Sequence, residues 1–218
     1  MLDGGPIYHE THPGHVIVEP WNAISSLLFW VPVIYFLIRL RGHYKEHLFL
    51  IVWCSPLLFI GGLGSAIFHA FRLHRFFLFM DFVPIAILTL SISIYFFLKL
   101  MKWWWVVLIM VSSVAVRFAL FAFFHGQGAI NASYFMTGVL IFLPALLLVI
   151  KTRFFSVGLL IWALICFAVA LFCRYADGWH DMPLPIGTHW LWHVFCAAGA
   201  WLLGRYLVRI ENLRHGLA

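Results

Sequence analysis

The sequence predicts an all-α integral membrane protein with seven transmembrane helices, with the N-terminus outside and the C-terminus in the cytoplasm. Of the 218 residues, 64% are hydrophobic and only 10% are charged, whereas soluble domains carry about 25% charged residues. The apolar residues occur in runs long enough for a helix to cross a bilayer core of about 30 Å. Because a bilayer offers the backbone no hydrogen-bond partners, only helices or closed barrels can span it, and long uniform runs favour helices.

Seven apolar segments can be drawn along the chain. They cover residues 21–38, 47–69, 76–98, 103–124, 132–150, 154–173 and 186–208. The links between them are short and no sequence repeat stands out, which predicts one domain. We expect an extramembrane segment at residues 1–20, a seven-helix transmembrane domain at residues 21–208 and a cytoplasmic tail at residues 209–218. Residues 1–20 lack the apolar stretch of a cleavable signal peptide.

The distribution of basic residues predicts the orientation. The ten Lys and Arg residues on the side of the C-terminus outnumber the three on the side of the N-terminus, which are Arg72, Arg75 and Arg174. Basic loops face the cytoplasm, so the C-terminus is expected there. Arg117 lies inside a span, where it is expected to reach the interface, to pair with a carboxylate or to bind a lipid headgroup. A bacterial inner membrane and an endoplasmic-reticulum or Golgi membrane fit equally well, and no basic, aromatic-interleaved run indicates nucleic acid.

Five polar residues fall at one depth in this topology, at the non-cytoplasmic end of three spans. They are Ser65 and His69 in the second span, Asp81 in the third, and His189 and His193 in the seventh. Polar residues inside a membrane are costly unless they are partnered. Residues four apart share a helix face, so His189 and His193 can offer two imidazoles to one ion, with His69 as the third. Three histidines leave Zn²⁺ one open position, as in catalytic sites.

Each of these residues also has a structural interpretation. A lone pair of histidines four apart is a weak signal for a metal. Ser65 forms a pair of small residues with Gly61 that would allow close helix packing. Asp81 could pair with Arg75 at the membrane interface. The metal site is favoured because all five residues lie at the same depth.

The same residues carry a resemblance to a known superfamily. The pattern of Ser65 and His69, then Asp81, then His189 and His193 resembles the alkaline ceramidases, adiponectin receptors and membrane hydrolases that remodel GPI lipids. The stretch from Glu19 to Ser25, EPWNAIS, is similar to the Glu-x-Trp-Asn-Thr-x-Ser of alkaline ceramidases. The GSAIFH stretch ending at His69, the Asp81-x-x-Pro84 stretch and the LWH stretch ending at His193 are similar as well. Between these motifs identities are sparse.

The resemblance implies a hydrolase domain at residues 21–208, with an activity in sphingolipid metabolism. His69, His189 and His193 would hold zinc, and Ser65 and Asp81 would act beside the metal-bound water. The expected activity is that of a zinc-dependent amidohydrolase on a linear amide, with ceramide cleaved to a sphingoid base and a fatty acid. The substrate would be a membrane lipid that enters from the bilayer. The alternatives are a lipid ester hydrolase, a receptor with a mainly structural zinc site, and a haem protein with axial histidines.

Calcium is a weaker expectation than zinc. Alkaline ceramidases bind Ca²⁺ through an acidic N-terminal stretch together with the glutamate at the start of the first helix. The comparable residues here would be Glu10, Glu19 and Asn22, but His9 and His12 stand where oxygen ligands are expected. Because Ca²⁺ takes six to eight oxygen ligands, this departure argues against a calcium site.

The orientation can be tested with topology reporters. Alkaline phosphatase fused after Ala218 should be inactive in a bacterial host, because the reporter folds only outside the cytoplasm, and green fluorescent protein fused there should fluoresce. A phosphatase inserted in the loop after Asp181 is the matched control and should be active. An active C-terminal phosphatase would reverse the predicted orientation.

Overall fold

The computed structural model describes residues 3–215, and these confirm the predicted all-α fold with seven helices long and apolar enough to cross a membrane. The helices are α1 (Pro20–Arg39), α2 (Phe49–Phe71), α3 (Arg75–Leu98), α4 (Trp103–Phe123), α5 (Gly126–Lys151), α6 (Val157–Ala176) and α7 (His189–His215). No strand occurs within residues 3–215. The side that each terminus faces stays a prediction.

Most predicted boundaries lie within three residues of the observed ones, with two larger differences. Helix α5 begins at Gly126, six residues before the predicted start, since the polar stretch that precedes the apolar run is also helical. Helix α7 continues to His215 instead of ending near residue 208, so the first part of the predicted tail is helical. Residues 216–218 of that tail, like residues 1–2 of the predicted N-terminal segment, lie outside the described residues.

Prolines account for irregular turns in the first two helices. Helix α1 contains a 3₁₀ turn at Leu27–Phe29, just before Pro32, and α2 begins with a π-helical stretch at Phe49–Cys54, just before Pro56. Proline has no N–H to donate to the preceding turn, which leaves carbonyl groups without an α-helical partner. In α2 the Leu50 carbonyl oxygen accepts both from the backbone N–H of Ser55, as in a π-helix, and from the Ser55 hydroxyl at 2.8 Å.

Six of the helices form a ring. Helix α1 packs against α2, α2 against α3, α3 against α5, α5 against α6, α6 against α7, and α7 returns to α1. Helix α4 packs on the outside of this ring, against α3 and α5. Its Arg117 donates hydrogen bonds to the hydroxyls of Ser133 and Thr137 on α5, so hydroxyl groups rather than a carboxylate satisfy this intramembrane cation.

The two halves of the bundle differ in chemistry. The main hydrophobic core fills the half that contains the end of α1 and the beginning of α2, with Phe36, Phe96, Val149 and Tyr206 almost fully buried. The buried polar residues of the predicted site lie in the opposite half. A largely apolar half therefore supports a polar half in which side chains meet inside the ring.

Close contact between α2 and α3 depends on a glycine next to the predicted site. A Cβ atom on Gly64 would collide with the backbone carbonyl group of Met80. The two helix backbones can approach only because residue 64 has no side chain, and this approach brings Ser65 and Asp81 together.

Replacing Gly64 with Ala should lower the free energy of unfolding by about 1–3 kcal/mol, the usual cost of overpacking. Gly158→Ala is the matched control: its Cβ would enter open space, so its effect should stay within about 1 kcal/mol and be neutral or stabilising. Unfolding of both variants by sodium dodecyl sulfate in mixed micelles measures the difference. Equal stability of the two variants would contradict this account of the α2–α3 contact.

Candidate metal centre

Three buried histidines converge inside the ring, at the start of α7 and near the end of α2. His189 and His193 are one turn apart on α7, and His69 faces them from α2, with ring centroids between 4.8 and 5.3 Å apart. One ring nitrogen from each histidine lies within 4.8 Å of the other two. We call these residues the histidine triad. The sequence-based prediction that they meet agrees with this geometry.

Each imidazole has two ring nitrogens. A hydrogen bond to one of them shows which one remains available to a metal. The carboxylate of Glu19 bonds to Nδ1 of His69. Since an ionised carboxylate only accepts, Nδ1 carries the proton and Nε2 carries the lone pair. The Ser25 hydroxyl donates to the Asn22 carbonyl oxygen at 3.1 Å, so it accepts from Nδ1 of His193 at 2.9 Å, and again Nε2 is left with the lone pair.

Two nitrogens of the histidine triad are buried without a hydrogen-bond partner. They are Nε2 of His69 and Nδ1 of His189. Buried polar atoms nearly always have a partner, so such atoms point to a missing ligand. Three imidazoles that each offer a nitrogen within 4.8 Å of the other two fit Zn²⁺, which takes three protein ligands in catalytic sites. Hydrogen bonds with Glu19 and Ser25 fix the rings of His69 and His193, as second residues do in known zinc sites.

Ser65 and Asp81 lie beside the histidine triad. The buried Ser65 hydroxyl is 2.9 Å from the Ser26 hydroxyl and interacts with the Asp81 carboxylate, which is also within electrostatic range of His69. The alternative pairing of Asp81 with Arg75 is not observed within residues 3–215. The structure therefore brings all five sequence-predicted residues into one cluster.

The N-terminal segment covers one end of this cluster. We call residues 3–19 the N-terminal strap. Its Tyr8 ring stacks on His189 with a centroid distance of 3.8 Å, and its His9 Nε2 lies 2.9 Å from the Trp179 carbonyl oxygen. Asp3 pairs with Arg72 at the end of α2 at 2.8 Å. The strap therefore closes the histidine triad off from the aqueous side.

Arg72 links the strap to the first helix. Its guanidinium group donates to the Pro6 carbonyl oxygen, to Asp3, and at 2.5 Å to the Glu19 carboxylate, which in turn holds His69. Arg72 adopts a left-handed backbone conformation with φ 50°, which ends α2 and turns its side chain toward these carboxylates. One buried network therefore joins the strap, α1, α2 and the histidine triad.

The pKa shifts in this network follow from burial and charge. Burial by itself would raise the pKa of Asp3 and of Glu19, but hydrogen bonds from Arg72 to Asp3 and from His69 to Glu19 lower both pKa values below their ordinary range. For Arg72, burial opposes the charged form, yet its two carboxylate partners raise its pKa. Burial raises the pKa of Glu10. These directions favour ionised Asp3, Glu19 and Arg72 at neutral pH.

The calcium candidates have other partners. The Glu10 carboxylate accepts from the backbone N–H groups of Trp21 at 2.5 Å and Asn22 at 2.9 Å, and so caps the start of α1. The Glu19 carboxylate accepts from Thr11, Arg72 and His69. The guanidinium group of Arg72 thus supplies the positive charge that Ca²⁺ would bring, and only the side-chain oxygen of Asn22 is without a partner. This arrangement does not favour calcium.

Sequence reasoning missed several residues around the site. The Ser25 hydroxyl bonds to His193, and the Ser26 hydroxyl bonds to Ser65. In the sequence, the only sign of these roles was a pair of hydroxyl residues in an apolar span. Arg174 was counted as a residue flanking a span, whereas it lies inside α6 and is buried. Tyr8 gave no signal, because its role depends on how the strap folds back over α7. Asp177 accepts from the backbone N–H groups of Thr188 and His189, and so fixes the start of α7.

Acid should release the N-terminal strap, but only below the ordinary pKa of an aspartate. Because the folded-state pKa of Asp3 is lowered, its stabilisation is complete above about pH 5 and is lost as the pH falls below about 4. The pKa of Glu10 is raised, so protonation of Glu10 as the pH falls stabilises the fold and does not release the strap. Hydrogen exchange of residues 3–19, corrected for the intrinsic rate, should therefore rise below about pH 4.

The variant Asp3→Asn should raise exchange in the strap at pH 7 by about tenfold or more, since a hydrogen bond between charged groups contributes about 1.5–3 kcal/mol. Asp181→Asn, which removes an exposed carboxylate from the loop between α6 and α7, is the control and should leave exchange unchanged. Release of the strap of the unmodified protein between pH 5 and 7 would contradict the role given to Asp3.

No protein-family model matches the chain, and no curated protein matches it. The resemblance to alkaline ceramidases therefore depends on the motif residues and on their spacing.

Proposed function

We propose that the protein is a zinc-dependent intramembrane hydrolase of a lipid amide, with ceramide as the reference substrate. The observation that carries this proposal is the histidine triad: three buried imidazoles converge beside the Ser65–Asp81 pair, and two of them have a buried nitrogen without a partner. The resemblance of the surrounding motifs to alkaline ceramidases supports the same activity. The predicted topology would place the site toward the non-cytoplasmic side of the membrane.

Zinc is the metal that suits these ligands. Imidazole nitrogen is a ligand for zinc, copper, iron and nickel, whereas Mg²⁺ and Ca²⁺ take oxygen ligands. Zn²⁺ accepts three imidazoles in a tetrahedral arrangement with one open position. Zinc held in this way would supply a Lewis acid and would lower the pKa of a water molecule to about 7.

Each neighbouring side chain then has a defined task. The Asp81 carboxylate accepts the proton of the attacking water and returns it to the nitrogen of the leaving amine. Once Asp81 has taken up the proton, the Ser65 hydroxyl is released from that carboxylate and donates a hydrogen bond to the carbonyl oxygen, on which negative charge develops. Glu19 keeps the proton of His69 on Nδ1, and Ser25 keeps that of His193 on Nδ1, so both Nε2 atoms remain available to the metal.

The surroundings of the site favour a lipid substrate. The N-terminal strap covers the site from the aqueous side, whereas many large apolar side chains of the surrounding helices are exposed on the outside of the bundle, where acyl chains would lie. A substrate with a polar linkage at the headgroup boundary could enter between helices with its tails in the bilayer. An ester linkage fits the same residues, so a panel of substrates must contain both bond types.

The proposal predicts that His193→Ala loses bound zinc and hydrolysis together. Asp81→Asn should keep zinc and lose about 10²–10⁴-fold in kcat, since a general acid–base contributes that much. Ser65→Ala should keep zinc and lose about 10²–10³-fold, the cost of removing one oxyanion donor. Asp181→Asn is the control and should retain full activity. Metal analysis of purified protein is combined with a mass-spectrometric screen of lipid amides and esters.

Three outcomes would contradict the proposal in whole or in part. Full turnover by a zinc-free His193→Ala protein would exclude the metal from the reaction. Stoichiometric zinc without cleavage of any lipid in the panel would favour the receptor alternative, in which zinc is structural. Cleavage of esters alone would keep the hydrolase and replace the amide substrate.

A further inference from the structure

Arg174 is a buried cation next to the histidine triad. It lies in the last turn of α6, two residues before the helix ends at Ala176, and is only 4% exposed. Its guanidinium carbon lies 4.7 Å from the centre of the Tyr134 ring and 5.4 Å from that of the Trp192 ring, and its side chain also interacts with Tyr8. Arg174 is therefore enclosed by aromatic side chains from α5, α7 and the N-terminal strap.

This cation has no ion-pair partner among residues 3–215. The carboxylate that influences it most is Asp81, which acts at a distance and is not within 4.0 Å of it, and its Nε atom is buried without a hydrogen-bond partner. Arg72, which is equally buried, pairs with both Asp3 and Glu19. Cation–π contacts contribute up to about 2 kcal/mol, whereas removing an ion from water costs several kcal/mol. The aromatic rings alone do not compensate the charge of Arg174.

Arg174 shares neighbouring residues with the histidine triad. Tyr8 touches both Arg174 and the ring of His189, and Trp192 immediately precedes His193. Of the other carboxylates beside the triad, Glu19 pairs with Arg72, and Asp177 accepts from backbone N–H groups at the start of α7. Arg174 is thus left as a buried cation without a carboxylate within 4.0 Å, which favours an anionic ligand. Its depth, less than one turn from a helix end, is that of lipid headgroups rather than acyl chains.

We propose that Arg174 binds an anionic headgroup, a phosphate or a carboxylate, on the lipid that occupies the histidine triad. As a statement about the substrate this rests on the proposed function, and it replaces neutral ceramide with an acidic lipid amide. A guanidinium group presents N–H donors that match the oxygens of both anions, and the free Nε atom supplies one of them. The surrounding rings exclude water and so strengthen the contact.

The test is a binding measurement on the full-length, metal-free protein in lipid nanodiscs, so that no turnover occurs. Four ligands with the same acyl chain are compared: N-palmitoylglycine, O-phosphorylated N-palmitoylethanolamine, neutral N-palmitoylethanolamine, and palmitate. At least one of the two acidic amides should bind with a Kd about tenfold or more below that of the neutral amide. A hydrogen bond between charged groups is strong enough to change Kd by about this factor. Which of the two binds distinguishes a carboxylate from a phosphate headgroup.

Variants assign the preference to Arg174. Arg174→Gln should abolish the preference for acidic amides, and Arg174→Lys, which keeps the charge, should retain part of it. Arg117→Gln removes an arginine of α4 whose hydrogen bonds go to Ser133 and Thr137 on α5 and not to the triad, and it should leave the preference intact. Zinc binding by each variant reports that the triad is still assembled.

Three results would overturn the inference: equal binding of acidic and neutral amides by the unmodified protein, an unchanged preference in Arg174→Gln, or tight binding of palmitate alone. The last would place the anion at the acyl end instead of the headgroup. A protein that binds acidic amides through Arg174 but hydrolyses none would refute the proposed function and leave this inference standing, so the two can fail separately.

Discussion

The buried carboxylate of Glu19 is the interaction on which the rest of the site depends. One of its oxygens accepts from Arg72 and Thr11, and the other bonds to His69. A carboxylate without partners could not remain ionised in this position, and Arg72 without carboxylates would be equally unfavourable. The position of Glu19 just before α1 and of Arg72 just after α2 means that both helix ends must meet for either charge to be stable. The same contact fixes the ring of His69.

This arrangement explains why the two halves of the bundle are built differently. The half around Phe36, Phe96 and Tyr206 is largely apolar and contains one buried ion pair, between His47 and Glu211. The other half holds charges and imidazoles, and each of them restricts the positions of its neighbours because a buried polar group without a partner is costly. A metal site can be held in a fixed geometry when its ligands are fixed by a hydrogen-bonded network and the network rests on rigid packing. The two halves of the bundle supply these two conditions.

The fold could be predicted from the sequence because a bilayer leaves so few alternatives. The length of the apolar runs sets the helices, and the cost of intramembrane polar groups marks Ser65, His69, Asp81, His189 and His193 before any contact is known. The orientation of the three histidine rings could not be predicted from the sequence. The roles of Glu19 and Ser25 depend on side-chain hydrogen bonds between elements far apart in the chain. Arg174 looked like a flanking charge, since its burial arises from the way α5, α7 and the strap enclose it.

The central claim is that His69, His189 and His193 hold one zinc ion. Zinc K-edge X-ray absorption of the purified protein tests it directly. A zinc ion held by the triad would have a first shell of three nitrogen ligands and one further oxygen or nitrogen at about 2.0–2.1 Å, with no sulfur. A sulfur shell at about 2.3 Å would instead assign the metal to cysteine. That result, or a protein that retains no zinc at all, would contradict the account.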